Sequence, residues 1–152
     1  MKGIVLAGGN ATRLRPVTYI TSKQLLLVYD KPMVYYPIKT LVKAGIKDIL
    51  VITAPTFAGS FVNLLSMEQQ SCKPNGEKGE FCGVNFTFKV QLEPRGLADA
   101  FILGEEFIGK DSVTMILGDN IFLGNDFTEQ IKDFKSGAMV FAKKVHDPER
   151  FG

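Results

Sequence analysis

Two short apolar runs, Lys2–Ala7 (KGIVLA) and Asp48–Thr53 (DILVIT), constrain this chain more than any other feature of it. Neither alternates between polar and apolar residues, so each must be covered on both faces, the condition of a central strand in a parallel sheet. Between them Ile38, Leu41 and Val42 fall at helical spacing, with Pro37 suited to a first turn and Gly45 to a C-terminal cap. Strand, helix and strand in that order make a β-α-β unit, whose strands lie parallel with a right-handed crossover.

The alternation continues down the chain. Phe57, Phe61, Leu64 and Leu65 form one helical stripe, and the Gly/Lys/Glu-rich stretch from Met67 to Gly83 reads as a surface insertion. Val84, Phe86, Phe88 and Val90 alternate with Asn85, Thr87, Lys89 and Gln91, which predicts a strand near a sheet edge. Gly96–Phe107 predicts a helix, Ser112–Leu117 a buried strand, Phe127, Ile131 and Phe134 a helix, and Ala138–Val145 a last strand. There is no internal repeat and no linker. The expected fold is α/β: a three-layer, Rossmann-like, doubly wound, mostly parallel sheet in one domain spanning residues 1–152. In such sheets ligands bind outside the carboxyl ends of the strands.

Composition narrows the function classes. Hydrophobic residues make up 45% of the 152, enough for one packed core. Eighteen basic and sixteen acidic residues leave a net charge of +2, too balanced for a broad nucleic-acid-binding face. Ile4–Ala7 is far too short for a signal-peptide core, and no run reaches the roughly eighteen apolar residues of a membrane span. A cytoplasmic protein without membrane association is therefore expected. Cys72 and Cys82 are spaced to close a small loop disulfide, but without a secretion signal free thiols are favoured. The lone His146 is distant from both and expected at the surface. Lys39, Lys43 and Lys47 read as a solvated face, and Tyr35 and Tyr36 as packing residues.

Three segments that follow strands carry unusual polar content, and if the sheet is parallel they must converge on one edge. In the first, Gly8–Arg13, Gly8 and Gly9 let backbone N–H groups approach phosphate oxygens, Arg13 offers a planar charged fork, and Lys23 adds a mobile point charge. A plain glycine turn with solvated charges accounts for the same residues, and the loop is neither a Walker loop nor a dinucleotide fingerprint. The second, Gly118–Asn120 in the word LGDN, places Asp119 just after a strand, where a carboxylate can hold Mg2+ together with substrate phosphates; an Asp-Asn turn is the alternative. The third, Gln91–Gly96, supplies an amide able to match a nucleobase edge, with Pro94 and Gly96 to shape a slot. That segment reads equally well as an ordinary turn.

Taken together, KGIVLAGGNATRL, PVT, SKQLL, YDKPMVYYP, GIKDILVIT, KVQ, PRGLADAF, GEEFIG, LGDNIF and DPERFG closely resemble the sugar nucleotidylyltransferases, above all the glucose-1-phosphate thymidylyltransferase branch. The resemblance implies Mg2+-dependent transfer of a nucleotidyl group from a pyrimidine triphosphate, dTTP or UTP, to glucose 1-phosphate, with release of pyrophosphate. It implies catalytic roles for Arg13, on the departing pyrophosphate, and Lys23, on the α-phosphate. Gly8, Gly9, Asn10, Ala11 and Thr12 would hold the triphosphate; Gln91, Gly96, Leu6 and Pro94 would read the base; Gln24 would help to place the nucleotide. Asp119 would bind the metal, and Asn120 and Gly152 would lie towards the sugar.

The chain departs from that pattern at Ala11, where glycine is usual and a negative φ or mild strain is required, and at Leu27, where proline is usual. The Met67–Gly83 stretch is longer than its counterpart. Relatives continue past DPERFG with sugar-binding residues and a second metal-ligating aspartate, so the isolated chain is expected to be weakly active or inactive. An active site completed by a second chain and a non-catalytic nucleotide-binding or assembly module are the alternatives, and an exposed edge at the last strand predicts a homo-oligomer.

Overall fold

Lys2–Ala7 (β1) and Asp48–Thr53 (β4) form the centre of a four-stranded sheet, paired in parallel from Gly3 opposite Ile49 to Ala7 opposite Thr53. Asn85–Val90 (β5) lies parallel to β4 on one side, and Val113–Leu117 (β6) parallel to β1 on the other, giving the order β5-β4-β1-β6. Leu27–Val28 (β2) and Lys31–Pro32 (β3) make a separate small hairpin. The computed structural model describes residues 1–9, 11–70, 79–123, 127–147 and 149.

Successive residues of a strand point to opposite faces, and here both faces are apolar because both are covered. On one face Val5, Ile49 and Val51 pack with Ile38 and Leu41 of Tyr35–Lys43 (α1), Phe61 and Leu65 of Ala58–Gln70 (α2) and Ile131. On the other, Ile4, Leu50 and Ile52 meet Ala100 and the half-buried Leu103, Phe107 and Ile108. Each fully buried side chain of this size contributes about 1.5–3 kcal/mol. The three-layer α/β architecture thus follows from the two unbroken apolar strands.

Several local expectations change. The helix expected over Gly96–Phe107 is two short ones, Asp99–Leu103 (α3) and Glu105–Ile108 (α4). Gly96 has φ 92°, outside the helical region, and the chain turns again at Gly104. A Cβ on Gly104 would stand 3.1 Å from Ile4 Cδ1 and 2.9 Å from the Ala100 carbonyl, so the missing side chain lets this segment lie against the sheet. Of the β6 residues only Ile116 is buried, so this is a half-covered edge strand among the described residues, not a buried one. Phe127–Asp133 (α5) takes the expected place.

Residues 138–145 form no strand, although their composition suits one. Strands exist through ladder bonds to a neighbour, and this segment makes none among the described residues: Met139 is 46% and Val140 87% exposed, while Phe141 packs edge-on against Phe127 at 5.3 Å. The Met67–Gly83 stretch is also less of an excursion than expected. Helix α2 runs on to Gln70, and Phe81 is completely buried, its ring 4.9 Å from that of Tyr35. The rest of the stretch, residues 71–78, lies outside the described residues.

Glu80 takes the ammonium groups of both Lys31 and Lys39, so Lys39 is not merely part of a solvated face. Cys82 is disulfide-bonded, which overturns the expectation of free thiols; the chain's other cysteine, Cys72, lies outside the described residues. The amide of Gln69 near the end of α2 donates to the Val84 carbonyl, and this contact brings the Cys82 turn back to the helix. Tyr35 and Tyr36 are packing residues, as expected, with hydroxyls on Glu68 and the Val28 carbonyl.

Candidate functional site

Because the four strands are parallel, their carboxyl ends share one edge, and two backbone bonds carry the ladder past those ends. Gln91 N–H donates to the Thr53 carbonyl at 2.8 Å, and Gly118 N–H to the Leu6 carbonyl at 2.9 Å. Gln91 is thereby fixed beside the end of β4 and Asp119 beside the end of β1. The result is a cleft of about 240 Å³ lined by Leu6, Gly8, Gly9, Gln24, Gln91, Pro94, Gly96, Leu97, Leu117 and Asp119. All three segments expected to converge contribute to it.

The two glycines of the first loop differ in their reasons. A Cβ on Gly8 would stand 2.8 Å from Gln91 Oε1, so this position is glycine because the glutamine fills the space. Nothing lies within 4 Å of a Cβ built on Gly9, where the backbone is open to the cleft. Gly118 is a third close approach: its Cβ would meet Gln24 Cγ at 3.1 Å and Ala7 Cβ at 3.2 Å, and its absence lets Gln24 lie over the end of β1.

Each buried amide at the cleft has a fixed partner. Gln91 Nε2 donates to Asp99 Oδ2 at 2.7 Å, and Arg95 sits 2.9 Å from the other oxygen of that carboxylate. Ser22 donates its hydroxyl to Gln24 Oε1 at 2.5 Å. Lys23 stands on a single helical turn, Lys23–Leu25, fastened by Val34 N–H to the Gln24 carbonyl and Met33 N–H to the Leu26 carbonyl. From there its ammonium reaches Oδ2 of Asp119, and the two charges satisfy each other at the cleft.

The remaining members of the expected site lie elsewhere. Thr12 and Arg13 stand on an exposed turn, Thr12–Leu14, and neither lines the cleft. Ala11, just before it, has φ 43° and ψ 41°, the left-handed conformation that costs an alanine about 1 kcal/mol, and its carbonyl accepts the Thr18 hydroxyl at 2.9 Å. Asn10 and Gly152 lie outside the described residues. Asn120 borders a second hollow of about 440 Å³, shared with Asp119, Ile121, Phe122, Lys143 and Val145. Leu27 lies opposite Pro32 in the small hairpin, away from both hollows.

Sequence reasoning missed four residues here. Leu97 and Leu117 line the cleft, Lys143 borders the second hollow, and Asp99 holds Gln91. The only signal in the sequence was the four-residue spacing of Arg95 and Asp99, which pair across the loop that leads into α3. Among the described residues, no group of three or more His, Cys, Asp or Glu side chains could hold a metal, and no helix is long and apolar enough to cross a membrane.

A cleft of this kind, with glycine loop, amides and a Lys–Asp pair at the strand ends, coincides with a sequence match to the family described as nucleotidyl transferase, over residues 2–152. The chain belongs to the nucleotidyl transferase family. As a nucleotidyl transferase it is 54% identical over 155 residues to a glucose-1-phosphate thymidylyltransferase of Neisseria meningitidis serogroup A, and 49% identical over 154 residues to one of Mycolicibacterium smegmatis. Both alignments cover all of this chain and 50% of the relative, so the chain spans about half the length of these proteins. A Bacillus anthracis crystal structure with sucrose, described as a glucose-1-phosphate thymidylyltransferase, superposes with a TM-score of 0.85 at 41% identity, covering all of this chain and 58% of that one. A UDP-glucose pyrophosphorylase in complex with UDP-glucose shares the fold, with a TM-score of 0.69 at 23% identity, over 86% of this chain and 50% of its own.

Proposed function

We propose that this nucleotidyl transferase binds a pyrimidine nucleoside triphosphate, dTTP or UTP, in the cleft at the strand ends, for transfer of the nucleotidyl group to glucose 1-phosphate. The observation that carries this reading is the meeting of Gly8, Gly9, Gln24, Gln91 and Asp119 in one cleft, with Lys23 at its side. A phosphate oxygen of the sugar attacks the α-phosphorus in line, the bond to the β-phosphate oxygen breaks, and pyrophosphate leaves. No covalent bond to the protein is needed, so catalysis rests on positioning and charge neutralisation.

Lys23 suits the α-phosphate, because a mobile ammonium can follow charge as it moves from attacking to leaving oxygen. Arg13, on its exposed turn, would swing over the departing pyrophosphate. The backbone at Gly9, Asn10, Ala11 and Thr12 would hold the triphosphate, Gln91, Gly96, Leu6 and Pro94 the base, and Asn120 and Gly152 the sugar side. Asp119 is the residue that would hold Mg2+: one carboxylate with substrate phosphates and water is an ordinary magnesium arrangement. Bound there, the ion would supply further positive charge to the phosphates. With a single carboxylate at the cleft among the described residues, nucleotide binding by the isolated chain should exceed its turnover.

The test is to offer the purified chain dTTP or UTP with glucose 1-phosphate and Mg2+, following pyrophosphate release and, separately, nucleotide binding by calorimetry. Binding that is weakened about tenfold or more in Asp119→Ala and Lys23→Ala supports the reading. A chain that binds neither nucleotide refutes it and leaves a structural or assembly role.

A further inference from the structure

We propose that Asp99 is a positioning residue that locks the side-chain amide of Gln91 with its oxygen toward the cleft, so that the site selects a base with a ring N–H donor over cytosine. The proposal rests on the nucleotide reading given above. Gln91 and Asp99 are only 5% and 4% exposed, and Nε2 lies 2.7 Å from Oδ2. A carboxylate accepts hydrogen bonds and donates none, so the amide nitrogen must face it. Reversing the amide would set two acceptors against each other in a buried place and leave the N–H groups unpaired. The Arg95 guanidinium, 2.9 Å from the other carboxylate oxygen, holds the negative charge in position.

Fixing one end of the amide fixes the other. Oε1 lies 2.8 Å from where a Cβ on Gly8 would stand, and both residues line the cleft. Among the described residues no donor is paired with it. The cleft therefore presents an acceptor whose identity cannot be exchanged for a donor without breaking the Asp99 contact. The imide edge of thymine or uracil carries a ring N–H that satisfies this acceptor. Cytosine in the same pose turns a ring-nitrogen lone pair toward it, and the two acceptors repel. Selectivity arises from the residue behind the reading group, not only from the reading group itself.

The test compares the 152-residue chain with Asp99→Asn, whose amide can either accept from or donate to Gln91 and so releases the lock at little change in shape. Calorimetry with dTTP and with CTP gives the preference, expected to favour dTTP by about tenfold or more in the original chain and to fall toward equality in the variant. The side-chain amide protons of Gln91 in the nucleotide-free chain, assigned by their loss in Gln91→Met, report the lock directly. One should be shifted and protected from exchange, and Asp99→Asn should abolish that protection. Gln91 protons that exchange as freely as those of a surface glutamine overturn the proposal, as does an unchanged preference in the variant. If the original chain takes up neither nucleotide while the protons stay protected, the base-selection half falls with the nucleotide reading and the lock stands.

Discussion

The ammonium of Lys23 is paired with Oδ2 of Asp119, two residues 96 positions apart that the parallel sheet brings to the same cleft. Each holds the other's charge while no phosphate is present. A triphosphate would draw Lys23 away, and a cation would then have the carboxylate free. Lys23→Met should therefore weaken dTTP binding by about tenfold, from the loss of one charge-assisted contact, while strengthening Mg2+ binding to the nucleotide-free chain. Calorimetric titrations with each ligand check the two signs, and a variant that weakens both equally would show that the pair is only structural.

Gly8→Ala tests why the first loop needs its leading glycine. The new Cβ would stand 2.8 Å from Gln91 Oε1, and the glutamine cannot yield freely because Asp99 holds its other end. Nucleotide affinity should fall at least about tenfold, with a stability loss of about 1–2 kcal/mol by urea unfolding. In the double variant Gly8→Ala/Gln91→Ala most of the stability loss should return and the affinity should not. Full stability in the single variant would mean that the loop, not the glutamine, sets the requirement.

Phe81 decides whether the turn after residue 78 belongs to the core. It is wholly buried, with Tyr35 at 4.9 Å and Phe86 at 6.0 Å between ring centres. Phe81→Ala should cost about 3–4 kcal/mol of unfolding free energy, as deletion of a packed core aromatic does. A loss under about 1 kcal/mol would return this turn to the status of a surface insertion.

The pair of lysines on Glu80 predicts an acid-sensitive contribution. Burial alone would raise the Glu80 carboxyl, but the ammonium groups of Lys31 and Lys39 outweigh it and hold the group below its ordinary value of 4.5. Since the folded value lies below the unfolded one, the stabilisation is fully present above that ordinary value and is lost as pH falls through the folded value. Glu80→Gln should lower Tm by a few degrees near neutral pH, and the gap from the original chain should close in acid. A gap that stays constant from neutral to acid pH would exclude the mechanism.

Much of the site was legible because parallel sheets obey a simple rule. Once Lys2–Ala7 and Asp48–Thr53 were seen to be apolar on both faces, the segments after the strands had to share an edge, and Gly8, Gln91 and Asp119 do line one cleft. Alternation in Asn85–Val90 placed that strand at the edge where it lies. The same rule misled at Ala138–Val145, because a strand needs a partner and composition does not name one. It also hid Phe81, whose Gly/Lys/Glu-rich neighbours gave no sign that one aromatic returns to the core.

The sequence by itself determined the layers, the central parallel strands and which loops meet, since these depend on periodicity and on the fixed hand of β-α-β crossovers. Only the tertiary structure decided how the meeting residues pair: that Gly8 makes room for Gln91, that Asp99 orients it, that Lys23 rests on Asp119, and that Arg13 stands apart on an exposed turn. Hydrogen bonds and ion pairs act over about 3 Å and depend on direction, and no spacing along a chain carries that information across 96 residues.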